Sequence, residues 1–69
     1  MKDFNFGEIL KGLRTEKSVG QEMLAKSIGV SHSTISLWEN GLREPTLSNL
    51  IAIADYFNVT LDFLAGREV

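Results

Sequence analysis

The chain of 69 residues is long enough for one small domain with a single core, and a hydrophobic fraction of 43% exceeds what a disordered chain carries. Nine acidic and seven basic side chains give a formal net charge of -2, which argues against a protein that coats nucleic acid by bulk electrostatic attraction. Cysteine is absent, which excludes a disulfide framework and a thiolate metal site. We expect one domain over residues 1–69, stabilised by packing.

The chain shows no sequence signal for export or membrane insertion. No apolar run approaches the roughly 18 residues of a membrane span. The first ten residues include Asp3 and Glu8, whereas a signal peptide begins with a basic and then an apolar stretch. We therefore expect a cytoplasmic location and no membrane partner.

Apolar spacing predicts a first helix over Phe6–Glu16. Asn5 is its expected N-cap, and Glu8 three residues later completes a capping-box pattern. Phe4 and Ile9 stand where a hydrophobic staple closes over the start of a helix. The side chains expected to be buried are Phe6, Ile9, Leu10 and Leu13.

A second helix is predicted to begin after Gly20 and to end near Ile28. Val19 and Leu24 form its staple pair. Gly29 follows, and glycine readily adopts the left-handed conformation that terminates helices.

The third helix is predicted over His32–Asn40, with Ser31 as N-cap and Gly41 as the stop. Pro45 then marks a loop because it disfavours a helical conformation at the residue before it. Thr46 is expected to cap a fourth helix that ends at Asn58, and Thr60 a short fifth helix that ends at Gly66. The predicted buried stripe of the fourth helix is Leu47, Leu50, Ile51, Ala54 and Phe57.

Residues 21–40 have the layout of a helix-turn-helix. Two helices that cross closely need a small residue at the crossing, such as Ala25, and a turn residue that tolerates an unusual backbone conformation, such as Gly29. Ala25 and Gly29 would also suit an ordinary helical hairpin. Ile35 and Trp38 share the inner face of the second of these helices; Trp38 could stack on bases, but its helical phase favours the core. The outward side chains are then His32, Ser33, Ser36 and Leu37.

The chain resembles the lambda-repressor-like, Cro-type helix-turn-helix family over about residues 6–66. The resemblance rests on Arg14, on the runs VGQEMLAKSIGVSHSTIS and WENG, on Pro45-Thr46-Leu47 and on the tail FNVTLDFL. It implies an all-α, compact five-helix domain that places its third helix in the major groove of an operator, usually as a two-fold dimer.

The resemblance also assigns roles to individual residues. It implies that Gln21, at the start of the second helix, contacts a phosphate, and that Arg14 and Glu39 form an ion pair. It places base readers at the start of the third helix and further along it, with backbone or minor-groove contacts after it. The implied base readers are Ser31, His32, Ser33, Thr34 and Leu37, with Ser36 on the same outer face, and the later contacts are Asn40 and Arg43.

Several alternatives stay open. His32 can be simply a solvated residue, and Arg43 can pair with Glu44 in the loop. The apolar tail can be the closing edge of the core or a dimer patch; its members are Leu61, Phe63, Leu64 and Val69.

The function that this sequence predicts is a sequence-specific, DNA-binding transcriptional regulator, a repressor more than an activator, acting as a homodimer on a palindromic operator. No enzyme activity, cofactor, metal or small-molecule substrate is expected, because the serines and the single histidine lack catalytic or ligand partners in the sequence. The alternative is an antitoxin-like module that binds another protein. The net charge of +1 over residues 17–43 favours the first reading, and the net charge of -3 over residues 44–69 keeps the second open.

Overall fold

A computed structural model describes residues 5–67, and within that range every regular element is an α-helix. The predicted all-α fold with five helices is therefore confirmed. None of the described helices has the length and apolar content needed to cross a membrane. In chain order the helices are α1 (Phe6–Lys17), α2 (Gln21–Ile28), α3 (His32–Glu39), α4 (Leu47–Phe57) and α5 (Leu61–Leu64).

Three helices begin with the hydroxyl caps that the sequence predicts. The side chains of Ser31, Thr46 and Thr60 each accept a hydrogen bond from the backbone N–H three residues later, at 3.2, 3.2 and 3.0 Å. Each cap satisfies one of the backbone donors that a helix leaves unpaired at its start. The starts of α3, α4 and α5 thus follow from local sequence.

The predicted capping box at the start of α1 is wrong. Asn5 precedes the helix, but its side chain makes no capping hydrogen bond. Its backbone has φ -108° and ψ 45°, whereas a capping residue normally has the extended conformation that aims its side chain at the N–H groups of the first turn. Phe4, the predicted staple partner, lies outside the described residues.

Three of the described helices, α1, α2 and α4, end on left-handed residues. Gly29 has φ 77° after α2, as predicted, and Asn58 has φ 58° after α4. Ser18 has φ 57° after α1, a position that nothing in the sequence marked, and α1 runs one residue past its predicted end. Asn40 ends α3 in a non-left-handed conformation, and Gly41 then adopts φ 73°.

One core joins all five helices. Trp38 of α3 is buried, and its ring meets Phe6 of α1 edge to face at a centroid distance of 5.9 Å. Trp38 therefore belongs to the core and cannot stack on bases. The buried core residues are Phe6, Leu10, Leu13, Leu24, Ala25, Ile35, Trp38, Ile53, Ala54, Phe57 and Leu64, and Ile9, predicted to be buried, packs against them half-buried.

The predicted buried stripe of α4 is partly wrong. Leu47 and Ile51 are 65% and 45% exposed, whereas Ile53 is fully buried. Because α4 packs against both α2 and α5, its inner face is the stripe Leu50, Ile53, Ala54 and Phe57. All five residues from 50 to 54 are apolar, so spacing in sequence fits both stripes equally well.

The start of α1 lies directly on the end of α3. A Cβ atom at Gly7 would lie 2.5 Å from the carbonyl oxygen of Trp38 and 2.7 Å from that of Glu39. Only glycine allows the two backbones to approach this closely. This contact sets the distance between α1 and the helix-turn-helix.

Candidate nucleic-acid interface

The first turn of α3 presents polar side chains to solvent. His32 and Ser33 are exposed, and the hydroxyl of Ser31 lies 3.2 Å from that of Ser33 and 2.8 Å from that of Thr34. The inner face of the same helix is held by buried Ile35 and Trp38. The start of α3 is therefore a rigidly supported surface of hydroxyl and imidazole groups.

Arg14 of α1 and Glu39 at the end of α3 form an ion pair. Arg14 donates from Nη2 to Glu39 Oε1 at 2.9 Å and from Nε to Oε2, and it also donates from Nη1 to the carbonyl of Val19 at 3.0 Å. The two side chains are 13% and 5% exposed. The two hydrogen bonds to Glu39 join α1 to α3. The hydrogen bond to the Val19 carbonyl joins α1 to the α1–α2 loop.

Two further side chains extend this pair to the start of α3. Gln21 Nε2 donates to Glu39 Oε1 at 3.0 Å, and Gln21 Oε1 lies 2.7 Å from His32 Nε2. The resulting polar chain Arg14–Glu39–Gln21–His32 runs from α1 through the far end of α3 and the start of α2 to the start of α3. It ties the two helix N-termini of the helix-turn-helix to each other.

The polar chain holds Glu39 ionised. Burial by itself acts to raise the pKa of Glu39, but hydrogen bonds from Arg14 and Gln21, with the charges of Arg14 and Lys11, outweigh it and lower that pKa below its usual value. The same hydrogen bond from Arg14 to Glu39 raises the pKa of Arg14. Both groups therefore carry full charge near neutrality.

Comparison with known proteins identifies the family to which the chain belongs. A family model described as helix-turn-helix matches residues 10–64. The chain belongs to the helix-turn-helix family. It is 43% identical over 65 residues, or 93% of its length, to the HTH-type transcriptional activator BcrR of Enterococcus faecalis. It is 39% identical over 59 residues, or 86% of its length, to the HTH-type transcriptional regulator AnsR of Bacillus subtilis (strain 168).

The structural likeness is equally extensive. The P22 c2 repressor protein, solved in complex with a synthetic operator, matches with a TM-score of 0.85 and 32% identity, over 91% of this chain and 96% of that one. This chain spans 32% of the length of BcrR and 51% of that of AnsR. The likeness to those two relatives thus concerns the helix-turn-helix domain.

Four of the nine predicted DNA-contacting residues lie at the start of α3: Ser31, His32, Ser33 and Thr34. Gln21 lies beside them and Arg43 is exposed in the loop after α3. Asn40 is exposed at the other end of α3, where its amide lies 3.4 Å from the hydroxyl of Ser36. The predicted site therefore divides into a cluster at the α2 and α3 N-termini and a second group at the α3–α4 loop.

Leu37 is less exposed than His32 and Ser33, with which the sequence groups it on the outer face of α3. Leu37 is half-buried, as are Thr34 and Ser36, so the exposed face of α3 is narrower than helical phase alone suggests. The loop after α3 turns back over the last turn, where the N–H of Leu42 donates to the carbonyl of Leu37 at 2.9 Å. The large apolar side chain that this region exposes is that of Leu42.

The sequence missed the hydrogen bond between Gln21 and His32. Each is the first residue of its helix, and the closely crossed helices of a helix-turn-helix bring those two ends together. The position of both residues at the start of a helix was the signal from which this hydrogen bond could have been predicted. Within the described range, no group of three His, Asp or Glu residues is placed to hold a metal ion.

Proposed function

We propose that this chain is a sequence-specific DNA-binding transcriptional regulator that places α3 in the major groove of an operator. The observation that carries the proposal is the exposed first turn of α3, with His32 and Ser33 outermost, on a helix whose opposite face is locked in the core. A helix supported on one side and polar on the other fits the major groove, where hydroxyl and imidazole groups can meet base edges. Belonging to the helix-turn-helix family supports the same function.

The N-termini of α2 and α3 supply a second argument. Unpaired backbone N–H groups and the helix dipole make such ends favourable for phosphates, and here Gln21 adds a neutral donor beside them. We propose that Gln21 contacts a phosphate and that Ser31, His32, Ser33 and Thr34 lie along the base edges. Ser36, Leu37, Asn40 and Arg43 then provide contacts further along α3 and after it.

The low charge of this surface limits the affinity of one copy. Affinity for DNA is dominated by phosphate neutralisation, and residues 17–43 carry a net charge of only +1. We therefore propose that two copies bind together as a homodimer on a palindromic site. Leu61 and Phe63 of α5 remain exposed and suit the dimer patch, whereas Leu64 is buried and belongs to the core; Val69 lies outside the described residues.

The experiment that tests this function is selection of binding sites from random duplex DNA, followed by titration of the selected site against salt. We expect an enriched palindrome with half-sites about 34 Å apart, one turn of B-DNA. The logarithm of the affinity should fall by about 0.9 per phosphate contact for each tenfold increase in salt. No enriched sequence together with flat salt dependence would overturn the proposal and favour a protein-interaction module. Enrichment of a single half-site would contradict the proposed homodimer but not the proposed DNA binding.

Two variants separate the proposed contacts. Gln21→Ala should weaken all duplexes alike because phosphates carry no sequence information, whereas Ser33→Ala should change preference at one or two base pairs. Ser27→Ala is the matched control, since the Ser27 hydroxyl donates to the Met23 carbonyl of its own helix at 2.8 Å. A uniform loss for Ser33→Ala would contradict its role as a base reader.

The direction of regulation is a separate proposal. Occupying a site that overlaps a promoter is enough to exclude polymerase, so we propose repression. BcrR is named as an activator and the P22 protein as a repressor, so relatives support either direction. Transcription in vitro from a promoter overlapping the selected site should fall when the chain is added, and a rise would overturn repression while leaving DNA binding intact.

A further inference from the structure

Three hydroxyl groups form a chain of contacts at the start of α3. Ser31 Oγ is the central one, 3.2 Å from Ser33 Oγ and 2.8 Å from Thr34 Oγ1. It also accepts the backbone N–H of Thr34 at 3.2 Å as the cap of the helix. A hydroxyl has one proton and two lone pairs, and the cap takes one of these lone pairs. Ser31 therefore has one proton and one lone pair left for its two hydroxyl neighbours.

The two hydroxyl contacts of Ser31 are consequently linked in direction. When Ser31 accepts the proton of Thr34, its own proton goes to Ser33; when it donates to Thr34, it accepts the proton of Ser33. In the first case Ser33 has a free O–H to offer to DNA, and in the second it offers only a lone pair. The hydroxyl of Thr34 thus decides what Ser33 presents.

The surroundings of Thr34 favour the first direction. Among residues 5–67, the partner with which the Thr34 hydroxyl forms a hydrogen bond is Ser31. Thr34 is half-buried, whereas Ser33 is exposed. A duplex that covers this face excludes water, so a Thr34 proton that is not given to Ser31 would be left unpaired at a cost. Ser33, in contrast, can give its proton to a base edge.

We propose, on the basis of the function proposed above, that Thr34 is a positioning residue for specificity: acting through Ser31, it makes Ser33 a hydrogen-bond donor towards DNA. In the major groove guanine, adenine and thymine each present an acceptor, whereas cytosine presents only the N4 amino donor. The base that faces Ser33 is therefore guanine, adenine or thymine. Cytosine is disfavoured there by about fivefold, the value of one ordinary hydrogen bond.

The first test measures binding to four duplexes that differ only at one base pair of the selected site. That base pair is the one at which Ser33→Ala alters the preference. The wild type should disfavour cytosine in the contacted strand by about fivefold. In Thr34→Val a lone pair of Ser31 becomes free for the proton of Ser33, so Ser33 can also accept from cytosine. The discrimination should then fall below about twofold.

Two control variants isolate the hydroxyl of Thr34. Thr34→Ser keeps this hydroxyl and should keep the wild-type preference. Thr15→Val makes the same substitution in α1, where the hydroxyl donates to the Lys11 carbonyl at 2.9 Å, and should leave the preference unchanged.

Three results of this test would overturn the proposal. The first is a Thr34→Val variant that still disfavours cytosine as strongly as the wild type. The second is a change in preference at a base pair other than the one altered by Ser33→Ala, because Thr34 would then contact a base itself. The third is a wild-type preference for cytosine at the base that faces Ser33, which would require the opposite direction of donation.

The second test needs no DNA and is a double-mutant cycle on the free chain, measured by urea unfolding. Thr34→Val should raise the equilibrium constant for unfolding about fivefold more in the wild type than in a Ser31→Ala background, where the acceptor is already absent. Equal effects in the two backgrounds would overturn the link between Thr34 and Ser31. Failure to bind any duplex would instead overturn the proposed function, and with it the role of Ser33, while coupling in this cycle would still establish the hydrogen bond.

Discussion

Replacing Gly7 with alanine should lower the free energy of unfolding by about 3 kcal/mol, at the upper end of what overpacking usually costs. The added Cβ would lie 2.5 Å from the carbonyl oxygen of Trp38 and 2.7 Å from that of Glu39. Both are backbone atoms at the end of α3, so no rotamer change relieves the clash. The start of α1 must move away from α3 as a unit.

The same movement should disturb two contacts at once. The edge-to-face packing of Phe6 on Trp38 and the ion pair between Arg14 and Glu39 both span the α1–α3 boundary. Urea unfolding followed by tryptophan fluorescence measures the loss and reports on Trp38 directly. For a chain of this size the midpoint of thermal unfolding should fall by roughly 15 °C.

Gly12→Ala is the matched control. Gly12 lies in the same helix, is exposed, and a Cβ there would meet no atom within 4 Å. Alanine should therefore stabilise the chain by about 0.5–1 kcal/mol through helix propensity alone. Equal effects at positions 7 and 12 would contradict the close approach of α1 and α3.

Replacing Glu39 with alanine should lower the free energy of unfolding by about 3 kcal/mol at neutral pH. The change removes the carboxylate that pairs with the guanidinium of Arg14, which is only 13% exposed and keeps its hydrogen bond to the Val19 carbonyl. It also removes the acceptor of the Gln21 amide. Glu16→Ala, at an exposed position of α1, is the control and should change stability by less than about 0.5 kcal/mol. A loss at Glu39 as small as that would mean that the pair acts as a surface contact.

The contribution of Glu39 should also depend on pH in a defined direction. Its pKa is lower in the folded chain than in the unfolded one, so the unfolded state takes up the proton first as pH falls. The stabilisation is complete above the ordinary glutamate pKa of about 4.3 and is lost as pH falls through the lower folded value. Unfolding measured against pH should therefore show wild type and Glu39→Gln approaching each other in acid. A constant difference would contradict the lowered pKa.

Local signals in the sequence predicted the helices and the turn well. Ser31, Thr46 and Thr60 cap helices because a hydroxyl one residue before a helix reaches a backbone N–H within the same turn. Gly29 ends α2 for the equally local reason that a left-handed residue carries little strain when it lacks a Cβ. Such features need no information about the rest of the chain.

The buried face of α4 could not be predicted from local sequence. Two apolar stripes are available in its sequence, and only packing against α2 and α5 selects the one containing Ile53 over the one containing Leu47. The choice between the two stripes therefore depends on neighbours distant in the chain. Asn5 fails as a cap because its backbone does not have the extended conformation of a capping residue.

The candidate site divides in the same way. The sequence by itself determined a helix-turn-helix at residues 21–40, its caps and the residues at the start of its third helix, because spacing and cap chemistry act within a few residues. Only the tertiary structure decided that Gly7 lies against α3, that Gln21 joins Glu39 to His32 and that Leu37 is half-buried. The physical reason is distance along the chain: the contacts of Gly7 and Gln21 join residues 11 or more positions apart, where no helical period relates one side chain to the other.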